Sequence, residues 1–294
     1  MGRIGNASGV LLPVAAIACA VHAMPLESLD GSAGALRTAW SQLADSRQGA
    51  AFKEPLHLAS AEASGALRGT LYAVVDRPSR DVQAALSRPD GWCAVLILDP
   101  NVHGCRSQAE RIDVIFGEAK TPVVFSFRPG AVADDYLQVR LTAEQGPMGT
   151  RDYAIAFEAS PLDASRTIVH LAFSQSLSWM SRMAMTAYFN TVGRGKVGFT
   201  VTDRDADGHP VYVSDLRGGV ERNLMRQYFA VLAYLDSLSA PREQQADRRV
   251  RTWLAHTERY PLQLHEEANY FARKAPEVRR QQTVDQTASA VTSP

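Results

Sequence analysis

The sequence predicts an α+β fold in which one long helix lies on an antiparallel sheet. Three observations carry that reading. Between Arg111 and Phe173, five strand-like segments follow one another with turn residues and no helix between them. Consecutive strands joined by short turns pair antiparallel. From about Gly219 to Leu238, Val220, Leu224, Tyr228, Val231, Leu235 and Leu238 recur at steps of three and four, which marks a helix with one buried stripe. A single earlier strand, Leu67 to Val75, is set apart from the others by short helical segments.

The first element is an export signal. Arg3 is the only charge before an apolar or small stretch from Val10 to Val21, and Val21-His22-Ala23 places small residues where a signal peptidase reads. Residues 1–23 are therefore expected to be removed after Ala23, giving a periplasmic or secreted protein. The stretch is shorter than the roughly 20 apolar residues of a spanning helix. A retained anchor and lipid attachment at Cys19 remain alternatives. In an exported chain Cys93 and Cys105 are expected to pair; two buried free thiols are the other reading. A loop this short would contribute about 3 kcal/mol on the chain-entropy model.

Residues 24–65 form an N-terminal extension. Leu36, Trp40 and Leu43 sit at helical spacing, and Ala59 to Gly65 has the composition of a linker. The main domain, 66–240, opens on Leu67 to Val75, with Pro78 suited to a first helical turn. Val82, Ala85 and Leu86 stripe a short helix that Pro89-Asp90-Gly91 is expected to stop, and Trp92, Val95 and Leu96 follow as a second apolar segment. The strands expected next are Arg111–Phe116, Val123–Phe127, Tyr136–Ala143, Asp152–Ala159 and Thr167–Phe173. Their turns are expected at Gly117, Pro129-Gly130, Gly146-Pro147 and Ser160-Pro161. A helical or mixed segment covers Leu177 to Thr191, and a hairpin joins Lys196–Thr202 to His209–Val213. After the long helix, residues 241–280 carry helices around Trp253 and Tyr270, and 281–294 form a polar tail expected to be disordered.

Composition narrows function. Acidic and basic residues balance at 31 each, so no net field draws the chain to nucleic acid. There is no G-x-S-x-G nucleophile elbow. Gly193-Arg-Gly-Lys-Val-Gly198 fails as a phosphate loop, because Asn190 stands where the first glycine belongs and Val197 follows the lysine. Asp203-Arg-Asp-Ala-Asp-Gly208 opens like a calcium loop, but Ser214 replaces the twelfth-position Glu; a solvated hairpin turn is the preferred reading. The scattered histidines have no H-E-x-x-H spacing. No metal or cofactor is expected, and no catalytic residue is assigned.

Arg222 and Arg226 are one helical turn apart with no acid four residues from either. Such a pair implies something negative opposite, a sheet carboxylate first and a ligand anion second. Glu221 could close an internal network beside them. His170 alternates out of phase with Val169 and Leu171, facing either solvent or a cavity. Trp92, Trp179, Tyr188, Tyr228 and Phe229 are candidate cavity walls, or plain core.

The order of these elements resembles the START and polyketide-cyclase-like superfamily, the helix-grip fold. Tyr72-Ala-Val-Val-Asp-Arg-Pro78 leading into Val82 and Leu86, then Trp92, and the helix Gly219 to Leu238 carry the resemblance, over about residues 66 to 240. It implies a hydrophobic cavity between sheet and long helix more than it implies a reaction. The expected ligand is a lipid or other apolar small molecule, held by Trp92, His170, Tyr188, Arg222, Arg226 and Tyr228, with peripheral membrane contact and no nucleic acid. The alternatives are an enzyme of the same fold using His170, Tyr188 or Glu221 as acid or base, and a cell-envelope interaction protein with a filled core. The terminal helices depart from the family pattern, capping the cavity or packing outside it.

Overall fold

The computed structural model describes residues 31–44, 52, 54–191, 193–265 and 269–291. The signal expected at 1–23 lies outside them. Among the described residues one eight-stranded antiparallel sheet dominates, in the order β1-β2-β8-β7-β6-β5-β4-β3. The strands are β1 (Leu56–Ala63), β2 (Ala66–Val75), β3 (Val102–Gln108), β4 (Arg111–Phe116), β5 (Thr121–Ala133), β6 (Tyr136–Gln145), β7 (Arg151–Pro161) and β8 (Thr167–Ser176). The long helix, here α5 (Asp215–Ser237), packs against β1, β2 and β8 and begins a turn earlier than its apolar stripe implies. This is the helix-grip arrangement.

Strand β1 corrects the linker reading of Ala59 to Gly65. Its small side chains look featureless in sequence, yet Ala63 pairs with Ala66 across a two-residue turn. Ser64 and Gly65 both have positive φ, 51° and 80°, the pattern of a type I′ hairpin. The turn expected at Pro129-Gly130 is likewise absent. β5 runs through those residues with a register shift between Pro129 and Val132, and Asp134-Asp135 makes the turn. A bulge is where a strand tolerates Pro and Gly.

Helices α2 (Ser79–Leu86) and α3 (Pro89–Leu96) precede β3. Pro89-Asp90-Gly91 does not merely end α2; Pro89 occupies the first turn of α3. Gly91 permits the contact between the two, since a Cβ there would lie 1.9 Å from the Ala85 carbonyl oxygen. Gly69 does the same for α5, whose Val220 and Leu224 side chains fill the space a Cβ would need.

Strand β3 has no alternating pattern and was invisible in sequence. It is held from outside. Cys105 is bonded to Cys93 of α3, with Cα atoms 5.3 Å apart. Its open edge is covered by α8 (Tyr270–Val291): Lys274 Nζ donates to the Val102 carbonyl at 2.6 Å, and Cys105 N–H donates to Gln281 Oε1 at 3.1 Å. Edge strands are commonly protected by such covers. Helix α8 therefore continues to Val291 instead of giving way to a disordered tail at Gln281. Its polar residues bond to the sheet and, through Gln282, to the Arg242 carbonyl.

Between α5 and α8 lie α6 (Arg242–Thr257) and the short α7 (Pro261–Leu264). Helix α6 is tied to α5 by Arg248, whose guanidinium grips Asp236 at 2.8 and 2.9 Å. The C-terminal helices thus pack outside the grip. On the opposite face of the sheet, α1 (Ala33–Gln42) buries Leu36 and Trp40 against Tyr72, Tyr136 and Ile168. Helix α4 (Trp179–Asn190) and the hairpin β9 (Val201–Arg204) and β10 (Pro210–Tyr212) complete the fold. The hairpin is shorter than expected. No helix of the described residues is long and apolar enough to cross a membrane.

Candidate functional site

The six residues expected to hold a ligand do not converge. Trp92 is in the core, donating its indole N–H to the Leu86 carbonyl at 2.9 Å and meeting Phe157 edge-on. Arg222 is buried where α5 meets α7 and donates Nε–H to the Gln263 carbonyl at 2.7 Å. One turn on, the Arg226 carbonyl accepts from the Trp253 indole of α6. That face of α5 is turned toward helices. Tyr228 is fully buried and donates to Glu54 at 3.3 Å; burial first, then the Glu54 charge, push its pKa well up. Tyr188 sits on the surface of α4 and accepts from Lys196 Nζ at 2.6 Å.

Glu221 closes a network, as its position suggested, but a structural one. Its carboxylate is fully buried and accepts from the Phe199 and Thr200 N–H groups at 2.7 and 2.9 Å. The Ser60 and Thr200 hydroxyls complete the set at 2.7 and 2.8 Å. Four donors satisfy the charge and fasten the segment before β9 to α5.

His170 takes the option that faces away from the grip. It lies under the α1 side of the sheet in a polar cluster that the sequence reading largely missed. His170 Nδ1 meets Glu158 Oε2 at 2.7 Å, and Thr70 Oγ1 meets His170 Nε2 at 2.7 Å. Tyr136 donates to the other Glu158 oxygen, and Tyr72 stacks on the imidazole with ring centres 4.0 Å apart. Burial, then the Glu158 charge, push Tyr72 up to about 12. For Tyr136, burial and the hydrogen bond to Glu158 push in the same direction. Since a carboxylate only accepts, the assignment that satisfies every group has Nδ1–H donating to Glu158 and Nε2 accepting from Thr70. Hydroxyl, imidazole and carboxylate in line can pass a proton. Thr70, however, lies in a strand paired on both sides, which commits the nearby backbone donors that an acyl-transfer site would need for an oxyanion.

The gripped face is packed tightly along most of its length. Leu67, Leu71, Leu141, Phe157, Leu171, Leu224 and Val231 are all buried completely. Tyr153 differs. Alternation puts it on this face in phase with Ile155 and Phe157, beside Phe125 and Phe173 with ring centres 5.7 and 4.9 Å away. Burial, and then the charge of Asp99, push its pKa well above the ordinary tyrosine value. Yet the side chain is only half-buried, and among the described residues nothing hydrogen-bonds to its hydroxyl. Tyr153 thus combines a half-buried ring among aromatic neighbours with a hydroxyl that has no partner among the described residues. The end of the sheet that holds it also holds α4. Gly146 lies against the Tyr153 ring, and three residues on the Gly149 carbonyl accepts from Ser181 Oγ of α4 at 2.7 Å. From α4, Met185 and Phe189 pack half-buried on the same core, as does Leu177 just before it. The signal for this site was present in sequence: a single hydroxyl on an otherwise apolar strand face.

Asp205, Asp207 and His209 bring ligand atoms within 4.8 Å of one another in the exposed β9–β10 turn. Asp205 accepts from the N–H groups of Asp207 and His209, which shapes the turn.

No family model matches the chain, and no curated protein does. Among solved structures, a START superfamily protein from Mycobacterium smegmatis is similar at 14% identity and TM-score 0.30, over 43% of this chain and 89% of that one. A norcoclaurine synthase mutant from Thalictrum flavum is similar at 11% identity and TM-score 0.31, over 46% and 89%. A conserved protein of unknown function from Enterococcus faecalis spans 77% of this chain and 91% of its own, at 7% identity and TM-score 0.31.

Proposed function

We propose that this protein is an exported carrier for a lipid or other hydrophobic small molecule. The observation that carries the reading is Tyr153: an accessible hydroxyl, without a partner among the described residues, set among aromatic rings on the gripped face. An apolar ligand would lie against Phe125 and Phe173, and a single polar group on it would meet the hydroxyl. Removal of apolar surface from water would drive binding, at about 25 cal/mol per Å² before ordering costs. The Cys93–Cys105 bond and the signal expected at 1–23 support action outside the cytoplasm.

Titration with a fluorescent fatty-acid analogue tests this. Saturable uptake is expected, weakened about fivefold in Tyr153→Phe, since a hydrogen bond is worth about 1 kcal/mol. No uptake by the folded wild type would refute the reading. A second reading, a hydrolase, is favoured by the Thr70–His170–Glu158 relay. Turnover of a chromogenic ester that disappears in Thr70→Val, with folding intact, would establish it.

A further inference from the structure

We propose that α4 is a docking surface for an anionic lipid bilayer. The helix has two apolar faces. Its inner face, Ser181, Met185 and Phe189 at steps of four, turns toward the protein. Its outer face carries Trp179 and Met180, 73% and 74% exposed, with Met183 at 53% and Tyr188 at 36%. A surface helix ordinarily turns charged and polar groups outward, so four large apolar side chains exposed along about two and a half turns require a partner.

Charge selects the partner. From Thr167 to Thr202 the chain has no Asp or Glu, while Arg182, Arg194 and Lys196 fall within that stretch. Arg182 is held by Glu62 of the β1–β2 hairpin. Lys196 lies over the Tyr188 ring, 5.2 Å from its centre. Trp and Tyr favour the headgroup level of a bilayer, and basic side chains beside them favour anionic lipid. The helix is also presented firmly. Ser178 caps it by accepting from the Ser181 N–H at 3.0 Å, and Ser181 Oγ bonds to Gly149. Docked in this way, α4 would bring the Tyr153 end of the sheet to the membrane. Only that delivery step rests on the carrier reading; docking is measured separately.

The test is co-sedimentation of the full mature chain with vesicles of phosphatidylglycerol and phosphatidylethanolamine. Wild type is expected to sediment, with Trp fluorescence shifting to the blue. Trp40, Trp92 and Trp253 are already buried, so Trp179→Phe should abolish that shift. Met180→Glu with Met183→Glu should weaken sedimentation at least about tenfold. Arg194→Glu with Lys196→Glu should weaken it on anionic vesicles and remove its salt dependence. Met180, Met183 and Arg194 are exposed and Lys196 Nζ bonds only to the surface Tyr188 hydroxyl among the described residues, so unchanged thermal unfolding is expected. Wild type that stays in solution, or Met variants that sediment equally, would overturn the proposal. So would a concentration-dependent dimer lost in the Met variants, which would assign the face to a second copy. Ligand uptake that persists in the Met variants leaves the carrier reading standing; docking without any ligand uptake supports the docking surface and removes the carrier.

Discussion

At the scale of residues, the buried carboxylates Glu221 and Glu158 are each matched by several donors, and those matches are what mutation should expose. Glu221 is the clearest case. Replacing it by Ala leaves two backbone N–H groups and two hydroxyls without acceptors, and a loss of about 3 kcal/mol or more in urea unfolding is expected. Glu158→Gln is expected to be milder, at about 1–3 kcal/mol, because Gln still accepts from Tyr136 or His170 but not from both with a full charge. The sequence implies a partner for Arg222 and allows Glu221 to close a network. It could not show which, because those partners come from Gln263 and from Thr200 and Ser60, brought close only by the fold. His170 was ambiguous for a simpler reason: alternation gives the opposite face but not which face is gripped.

At the scale of elements, legibility followed periodicity. Helices α1 and α5 and strands β4, β6, β7 and β8 announce themselves by spacing. Strands β1 and β3 do not, because one is built of small residues and the other is held by a disulfide and by α8. Reducing Cys93–Cys105 should therefore weaken β3 specifically. A fall of about 3 kcal/mol is expected, with hydrogen exchange rising first in Val102–Gln108. The α2–α3 corner depends on Gly91, and Gly91→Ala should cost about 1–3 kcal/mol or more, read by thermal unfolding, since the clash is with backbone. Docking of α6 on α5 has a pH signature. His256 stacks on Phe229 and accepts from Arg259 at 2.9 Å. Burial, then the Arg259 charge, lower its pKa, while Glu54 and Asp236 oppose the shift. A histidine held neutral in the fold gives stability that is complete above the ordinary value of about 6.5 and declines as pH falls below it. Stability should thus drop between pH 7 and 5.5, and His256→Gln should flatten that drop. Asp236 adds a separate acid limb. Arg248 holds its pKa down, so its contribution persists above the ordinary carboxylate range and is lost as pH falls through the lowered value.

At the scale of the whole molecule, the gripped face is packed along most of its length, and burial is less complete at one end. That end contains Tyr153, the Gly146–Thr150 loop and α4. The same sheet carries a second, polar cluster on its other face under α1, and its open edge is covered by α8. The additions that depart from the helix-grip pattern therefore stabilise the sheet from outside, and the proposed carrier function would use the α4 end. Native mass spectrometry of the protein, purified from its host without detergent, tests the carrier function most directly. The account predicts a bound apolar molecule that dissociates on gentle activation and is depleted in Tyr153→Phe. A folded protein whose mass is that of the bare chain, and which stays bare after incubation with lipid, would contradict it.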